Sequence, residues 1–291
     1  MKPLHLILLL AMNFGWAAIY SAYKFIPLST GGIVTIRFGV AAVCLLLSWP
    51  CLPGVTPRGR DFITACGAGL IICVLGQRLQ VYGNELGTAG NSAVLMALEP
   101  VITSVAAAIF LKEYIGPRRL IGFVLGMTGV ALLNRVWETG FDWRALGGSL
   151  LFVSSFVCEA AYSIIAKPVI MRASVMKMLA ISFASGTAVN LLIDGPQTFR
   201  AVHHLQPLAW LLLVSIGLIC TATGYTIWFL VLRETPLNVI ALTVFAQTIF
   251  GVLMAALWVG EKLHWGQLLG GASIVVGLSI GLSHQMKKEA E

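Results

Sequence analysis

Charge is what this chain has least of. Asp, Glu, Lys and Arg make up only 11% of its 291 residues while 58% are hydrophobic, against roughly a quarter charged in soluble domains. A single water-soluble core is thereby excluded, and lipid must be the solvent for most of the chain. No G-x-x-x-x-G-K-[ST] phosphate loop occurs, which excludes an ATP-driven pump within this chain. H-E-x-x-H is also missing, and Asp61, Asp142 and Asp194 fall at the ends of apolar segments. The zinc and paired-aspartate routes to intramembrane proteolysis therefore lack their residues, and the chain is not read as an enzyme. The six cysteines (Cys44, Cys51, Cys66, Cys73, Cys158, Cys220) show no C-x-x-C or Cys–His spacing, and His5, His203, His204, His264 and His284 all lie near segment ends. Neither a metal site nor a disulfide framework is indicated, and no cofactor is implied. The net charge of +7 is spread over short connections without a basic patch, so nucleic acid is not the partner.

What is present in quantity is apolar runs of membrane-crossing length. A bilayer core takes about 20 helical residues, and ten segments qualify: 4–23, 31–50, 62–82, 89–111, 118–136, 145–166, 176–194, 208–232, 237–260 and 265–284. The expected fold is an all-α polytopic membrane protein. Turn residues punctuate the connections, among them Pro53-Gly54, Gly116-Pro117, Gly195-Pro196 and Thr235-Pro236. The first run continues through Trp16 and Tyr20 without a small-residue cleavage site, so it reads as a spanning helix rather than a signal peptide. With the N-terminus inside, short-loop Lys and Arg divide twelve inside to five outside. The positive-inside bias then places both termini in the cytoplasm and the protein in the inner (plasma) membrane.

The chain also repeats. A shift of 148 lays Leu111-Lys112-Glu113 on Val259-Gly260-Glu261, Gly122 on Gly270 and Gly129 on Gly277; a shift of 143 lays Ala17-Ala18 and Lys24 on Ala160-Ala161 and Lys167. Residues 1–137 and 138–291 form the two expected repeats of five helices each. An odd number of spans per half inverts the second half, the architecture of many secondary transporters, whose substrate site lies near the midplane between halves. The segment Asn91–Leu133 and its echo over Val239–Leu282, each a helix ending before Glu and followed by a glycine-spaced helix, resemble the EamA-type members of the drug/metabolite transporter superfamily. The resemblance covers nearly the whole chain through length, helix count and duplication. It implies a carrier of amino acids, drugs or other small metabolites. The halves differ where Glu99-Pro100 is answered by Gln247-Thr248, so they should not contribute equally to a site.

Four ionisable residues fall well inside the segments: Arg37, Arg78, Glu99 and Glu159. A charge at the bilayer centre costs at least ~2.5 kcal/mol on insertion scales, so such groups face an interior or a wet cavity. Glu99 is the first candidate, because Pro100 lacks the N–H that would engage the carbonyl one turn earlier and thus breaks the helix at substrate depth. Burial disfavours a lone carboxylate's charged form, which would let it exchange a proton; the alternative is a fixed pair with Arg37 or Arg78. Arg37 reads either as a fork for a substrate carboxylate or as a gating or structural pair. Arg78 sits between Gln77 and Gln80, which share a helix face, and reads as a cavity wall or a snorkelling rim arginine. Glu159 forms a polar stripe with Ser155 and Tyr162, and its repeat position is Trp16, next to Asn13 and Tyr20. Tyr82, Asn91, Asn190, Tyr225, Trp228 and Gln247 complete the polar and aromatic candidates; Tyr20, Trp228 and Gln247 are the ones to test first.

The glycines of the fifth and tenth segments, including Gly122, Gly126, Gly129, Gly270 and Gly277, suit either a dimer face or tight internal packing, leaving monomer and homodimer open. Glu113 and Glu261, beside Lys112 and Lys262, read as interface anchors. The sequence thus points to a secondary transporter that exports a small amino acid-like or drug-like metabolite by alternating access, with proton coupling through Glu99 or Glu159. Facilitated uptake or exchange of an amine or other small metabolite and, from another class, an intramembrane enzyme are the alternatives.

Overall fold

The computed structural model describes residues 2–23, 25–86, 95–134, 146–254, 257 and 265–287. Among them every regular element is a helix. In chain order these are α1 (Pro3–Tyr23), α2 (Thr30–Leu47), α3 (Arg60–Gly69), α4 (Gln77–Leu86), α5 (Leu98–Phe110), α6 (Pro117–Leu133) and α7 (Leu146–Arg172). There follow α8 (Val175–Val202), α9 (Pro207–Ser215), α10 (Gly224–Glu234), α11 (Leu237–Leu242), α12 (Phe245–Met254) and α13 (Trp265–Lys287). A π-helical stretch, Leu70–Gly76, fuses α3 to α4, and another, Ile216–Thr223, fuses α9 to α10.

Local chemistry sets the boundaries. Ser29 caps α2 by accepting from the Gly32 N–H at 3.2 Å. Pro117 and Pro207 open α6 and α9, where a missing N–H costs no bond. Thr235, extended and followed by Pro236, closes α10. Among the described residues seven helices, counting fused and interrupted ones as single runs, are long and apolar enough to cross a membrane, and Pro3–Ile19 and Leu98–Phe110 are shorter apolar helices. Aliphatic side chains such as Leu47, Leu192 and Leu257 stand outward, which suits a lipid surround.

Three expectations need correction, the first being the segment expected to be continuous over 89–111, which turns at Met96-Ala97 before α5. The segment expected to end at Asp194 is part of α8, which runs on to Val202 with Pro196 inside it. Proline removes one hydrogen bond there, but Asp194 and Thr198 pack against Gly31 and Gly32 of α2 and hold the turn in place. The segment expected to be continuous from 237 is interrupted by a turn at Thr243-Val244, between α11 and α12.

Helices from the two ends of the chain interleave. α1 packs on α12 and on α10, while α7 packs on α5 and on α4, and α2 lies along α8. The most extensive pairing joins α6 to α13. There an added Cβ at Gly122 would stand 2.9 Å from the Gly277 carbonyl oxygen, and one at Gly129 would stand 2.6 Å from that of Gly270. Only glycine allows this approach, so these glycines serve packing inside the chain.

Candidate functional site

Glu159 lies thirteen residues from either end of α7, so a helix that spans a membrane carries this carboxylate at mid-depth. Two adjoining cavities meet there. The wider, partly open to the outside, is bordered by Tyr23 at the end of α1, Arg37 of α2, Gln77, Gln80 and Val81 of α4, and Phe152 of α7. The narrower lies deeper and is bordered by Thr103, Ser163, Trp228 and Val244. Trp16, Glu99, Glu159 and Tyr225 border both. From Phe152 to Ser163 the two follow α7 for roughly 16 Å at 1.5 Å per residue. Past that depth Val169, Ile170, Phe229, Leu232, Leu237 and Ile240 are buried together and close the bundle.

One polar chain spans the wider cavity. Arg37 is 5% exposed, and its guanidinium donates to Thr221 Oγ1 at 2.6 Å, to Tyr23 Oη at 3.1 Å and to Gln77 Oε1 at 3.1 Å. The Gln77 amide in turn donates to Glu159 Oε1 at 3.1 Å. A single glutamine thus joins a buried cation to a carboxylate, which offsets much of the cost of holding each in apolar surroundings. The close approach of α4 to α7 makes this possible, since a Cβ at Gly83 would collide with the Phe152 backbone. Glu99 is half-buried and lines both cavities; among the described residues none donates a hydrogen bond to it.

The π-helical stretches shape the walls. A π turn shifts the ladder by one residue and is common at functional sites. Trp16 Nε1 donates to the Cys220 carbonyl at 2.8 Å inside one such stretch, and Thr221 of that stretch receives Arg37. In the other, the Cys73 carbonyl accepts from Asn190 Nδ2 at 3.0 Å. Aromatic rings pack around Tyr225: its centroid lies 5.5 Å from Trp16, 5.8 Å from Tyr162 and 5.6 Å from Phe183. Trp228 donates to Ser163 Oγ at 3.1 Å.

Of the residues singled out from the sequence, Glu99, Glu159, Arg37, Trp16, Tyr225, Trp228 and Gln247 border the cavities. Arg78, Asn190, Tyr82 and Asn13 do not. Arg78 turns away to α8, where it pairs with Asp194 and donates to Asn190 Oδ1 at 2.8 Å. Neither arginine pairs with Glu99, because each has nearer partners on its own side. Tyr82 is 44% exposed, outside the cavity. Asn13 is fully buried and donates to the Leu9 carbonyl at 2.8 Å and Thr243 Oγ1 at 3.3 Å, so it ties α1 to the turn before α12. The Tyr20 side chain and Asn91 lie outside the described residues. Pro100 sits in the first turn of α5, where it costs no bond within that helix. The chain already turns at Met96-Ala97 before it, and the Met96 carbonyl accepts from the Glu99 N–H at 3.3 Å.

Glu113 is not a surface anchor. Its carboxylate accepts from Lys167 Nζ at 2.8 Å and from the backbone N–H groups of Leu237 and Asn238, each at 2.9 Å. It therefore caps the N-terminus of α11, where the helix dipole favours an anion. Lys112, with φ of 54°, adopts the left-handed turn that ends α5 and carries the chain into Glu113. This cluster crosses the bundle at the end opposite the opening. Sequence reading also missed Tyr23 and Thr221 as partners of Arg37, and Asp194 as the partner of Arg78. None stands out by type in an apolar or terminal context.

Comparison with known proteins bears on the family and the fold. The sequence model of the EamA-like transporter family matches residues 3–135 and again 146–282. The chain is 24% identical over 270 residues to the "Probable terminal-alkyne amino-acid exporter" of Streptantibioticus cattleyicolor, covering 91% of this chain and 89% of that one. It is 23% identical over 290 residues to an "Uncharacterized transporter" of Archaeoglobus fulgidus, covering 97% and 98%. A solved crystal structure of a protein 13% identical to it shares the fold, with a TM-score of 0.78 over 98% of this chain and 99% of that one.

Proposed function

We propose that this chain, which belongs to the EamA-like transporter family, is a secondary transporter that exports a small amino acid-like or drug-like metabolite by alternating access. Multi-pass membrane transport follows from the family; the cargo class, direction, coupling and mechanism are our reading. The observation that carries it is the mid-depth pair of cavities holding Glu99 and Glu159, walled by helices from both ends of the chain. An amino acid-like cargo is consistent with the name of the Streptantibioticus cattleyicolor relative.

The same reading takes the chain as ten spans in two inverted repeats, over residues 1–137 and 138–291. Supporting it, the π-helical stretches begin at Leu70 and Ile216, at similar places in the two halves. The turn at Thr243-Val244 lies 148 residues beyond positions 95 and 96, close to the Met96-Ala97 turn. Broken helices beside the cavity are a recurrent transporter device. With both termini cytoplasmic in the plasma membrane, the cavity opens outward, and Glu113 with Lys167 holds the cytoplasmic side shut. The α6–α13 glycines are occupied internally, which favours a monomer over a dimer through that face.

Coupling to protons would run through Glu99 or Glu159, the two carboxylates in contact with the cavity. Solute uptake into proteoliposomes with and without an imposed pH gradient tests this. Wild-type protein should accumulate solute under a pH gradient, and Glu99→Gln with Glu159→Gln should lose that drive. Full-rate transport without a gradient, unaffected by both substitutions, would favour facilitated exchange instead.

A further inference from the structure

The deeper cavity has a chemical bias that the wider one lacks. Among the described residues its walls bring two carboxylates, Glu99 and Glu159, three aromatic side chains, Trp16, Tyr225 and Trp228, and no basic group. Arg37 borders only the wider cavity.

The charges around it are unevenly matched. Arg37 answers Glu159 through Gln77, one cation for one carboxylate. Glu99 has no such answer among the described residues, and the position 148 residues on is the neutral Gln247. The ring centroid of Trp16 lies 5.5 Å from that of Tyr225 and 5.9 Å from that of Trp228. Both indole N–H groups are engaged elsewhere, on the Cys220 carbonyl and Ser163, so these side chains offer the cavity mainly ring surface. Indole and phenol faces attract cations, and an unpaired carboxylate supplies a full counter-charge.

Resting on the transport reading above, we propose that the deeper cavity is an ammonium site: it takes the protonated amine of the cargo, with Glu99 as counter-ion and Trp16, Tyr225 and Trp228 as walls, and requires no carboxylate on that cargo. The cargo class is then amines, of which amino acids are only one kind. Anions and neutral compounds of the same shape are rejected, because they leave Glu99 without its partner.

Binding to the purified full chain in nanodiscs tests this with four probes sharing one aryl group: phenethylamine, phenylalanine, N-acetylphenylalanine and 3-phenylpropionate. Phenethylamine should bind within about threefold of phenylalanine or tighter, and the two probes without an ammonium at least about tenfold more weakly. Glu99→Gln should cost phenethylamine about tenfold, and Glu99→Asp should restore part of it. Should Glu99→Gln fail to fold, the order of the four probes on the wild-type chain decides alone. The proposal is overturned if 3-phenylpropionate matches phenethylamine, if a folded Glu99→Gln binds phenethylamine like the wild type, or if no amine binds. Counterflow separates the two readings. Movement of solutes with no preference for amines removes the ammonium site and keeps transport, whereas tight amine binding without counterflow of any solute removes transport and keeps the site.

Discussion

Ser273 donates its hydroxyl to the backbone carbonyl of Leu125 at 2.8 Å, and the two residues stand 148 positions apart, the interval by which the second half of the sequence repeats the first. The contacts on either side exchange under the same shift. Gly122 meets Gly277 and Gly129 meets Gly270, and adding 148 turns each pair into the other. Contact between equivalent positions is what an inverted duplication gives at its axis, and it is the firmest structural support for the proposed two-repeat reading.

The α6–α13 contact should tolerate no added bulk. Gly270→Val is expected to lower thermal stability in detergent by about 2 kcal/mol or more, the usual scale of overpacking. Its neighbour Gly271 has nothing within 4 Å of where a Cβ would stand, so Gly271→Val should melt close to the wild type. Equal loss from both would contradict the packing described.

The two cavity carboxylates should separate in a melting experiment. Glu159→Gln removes the carboxylate that answers buried Arg37 through Gln77 and should destabilise by about 1.5 kcal/mol or more, the scale for losing a hydrogen bond to a charged group. Glu99→Gln removes no partner seen among the described residues and should leave the melting temperature near the wild-type value or above it.

These partnerships show where sequence reading stops. Glu99, Glu159 and Arg37 were legible because a charge is conspicuous in an apolar run. The helical character was equally plain, since apolar runs of about 20 residues have few other fates. The Arg37–Thr221 and Arg37–Gln77 bonds join positions 184 and 40 apart, and nothing local announces them. A π stretch rotates the residues after it away from the 3.6-residue register, so helical spacing misdirects any face assignment carried across 70–76 or 216–223. Asp194 escapes such a reading because Gly195-Pro196 signals a stop that α8 does not obey.

Arg78 should behave as a structural residue. Arg78→Ala leaves Asp194 without its cation and is expected to cost about 3 kcal/mol of stability. Ligand affinity of the protein that remains folded should be unchanged, because Arg78 borders neither cavity.

The Glu113–Lys167 cluster should act as a latch on the closed end. Lys167→Met removes the cation and leaves the cap on α11 in place. A cysteine introduced at Ser163, at the bottom of the deeper cavity, should then react with a maleimide applied from the α11 end at least about threefold faster, as expected if the closed state loses under 1 kcal/mol. An unchanged rate would show that the apolar packing alone closes that end.

The most direct test of transport through this site is counterflow in proteoliposomes with the deeper cavity filled. Thr103→Trp places an indole where that cavity lies, and size-exclusion chromatography establishes that the variant folds. Loss of solute counterflow with a folded, monodisperse Thr103→Trp protein is the predicted result. Counterflow at the wild-type rate through the filled variant would contradict the account.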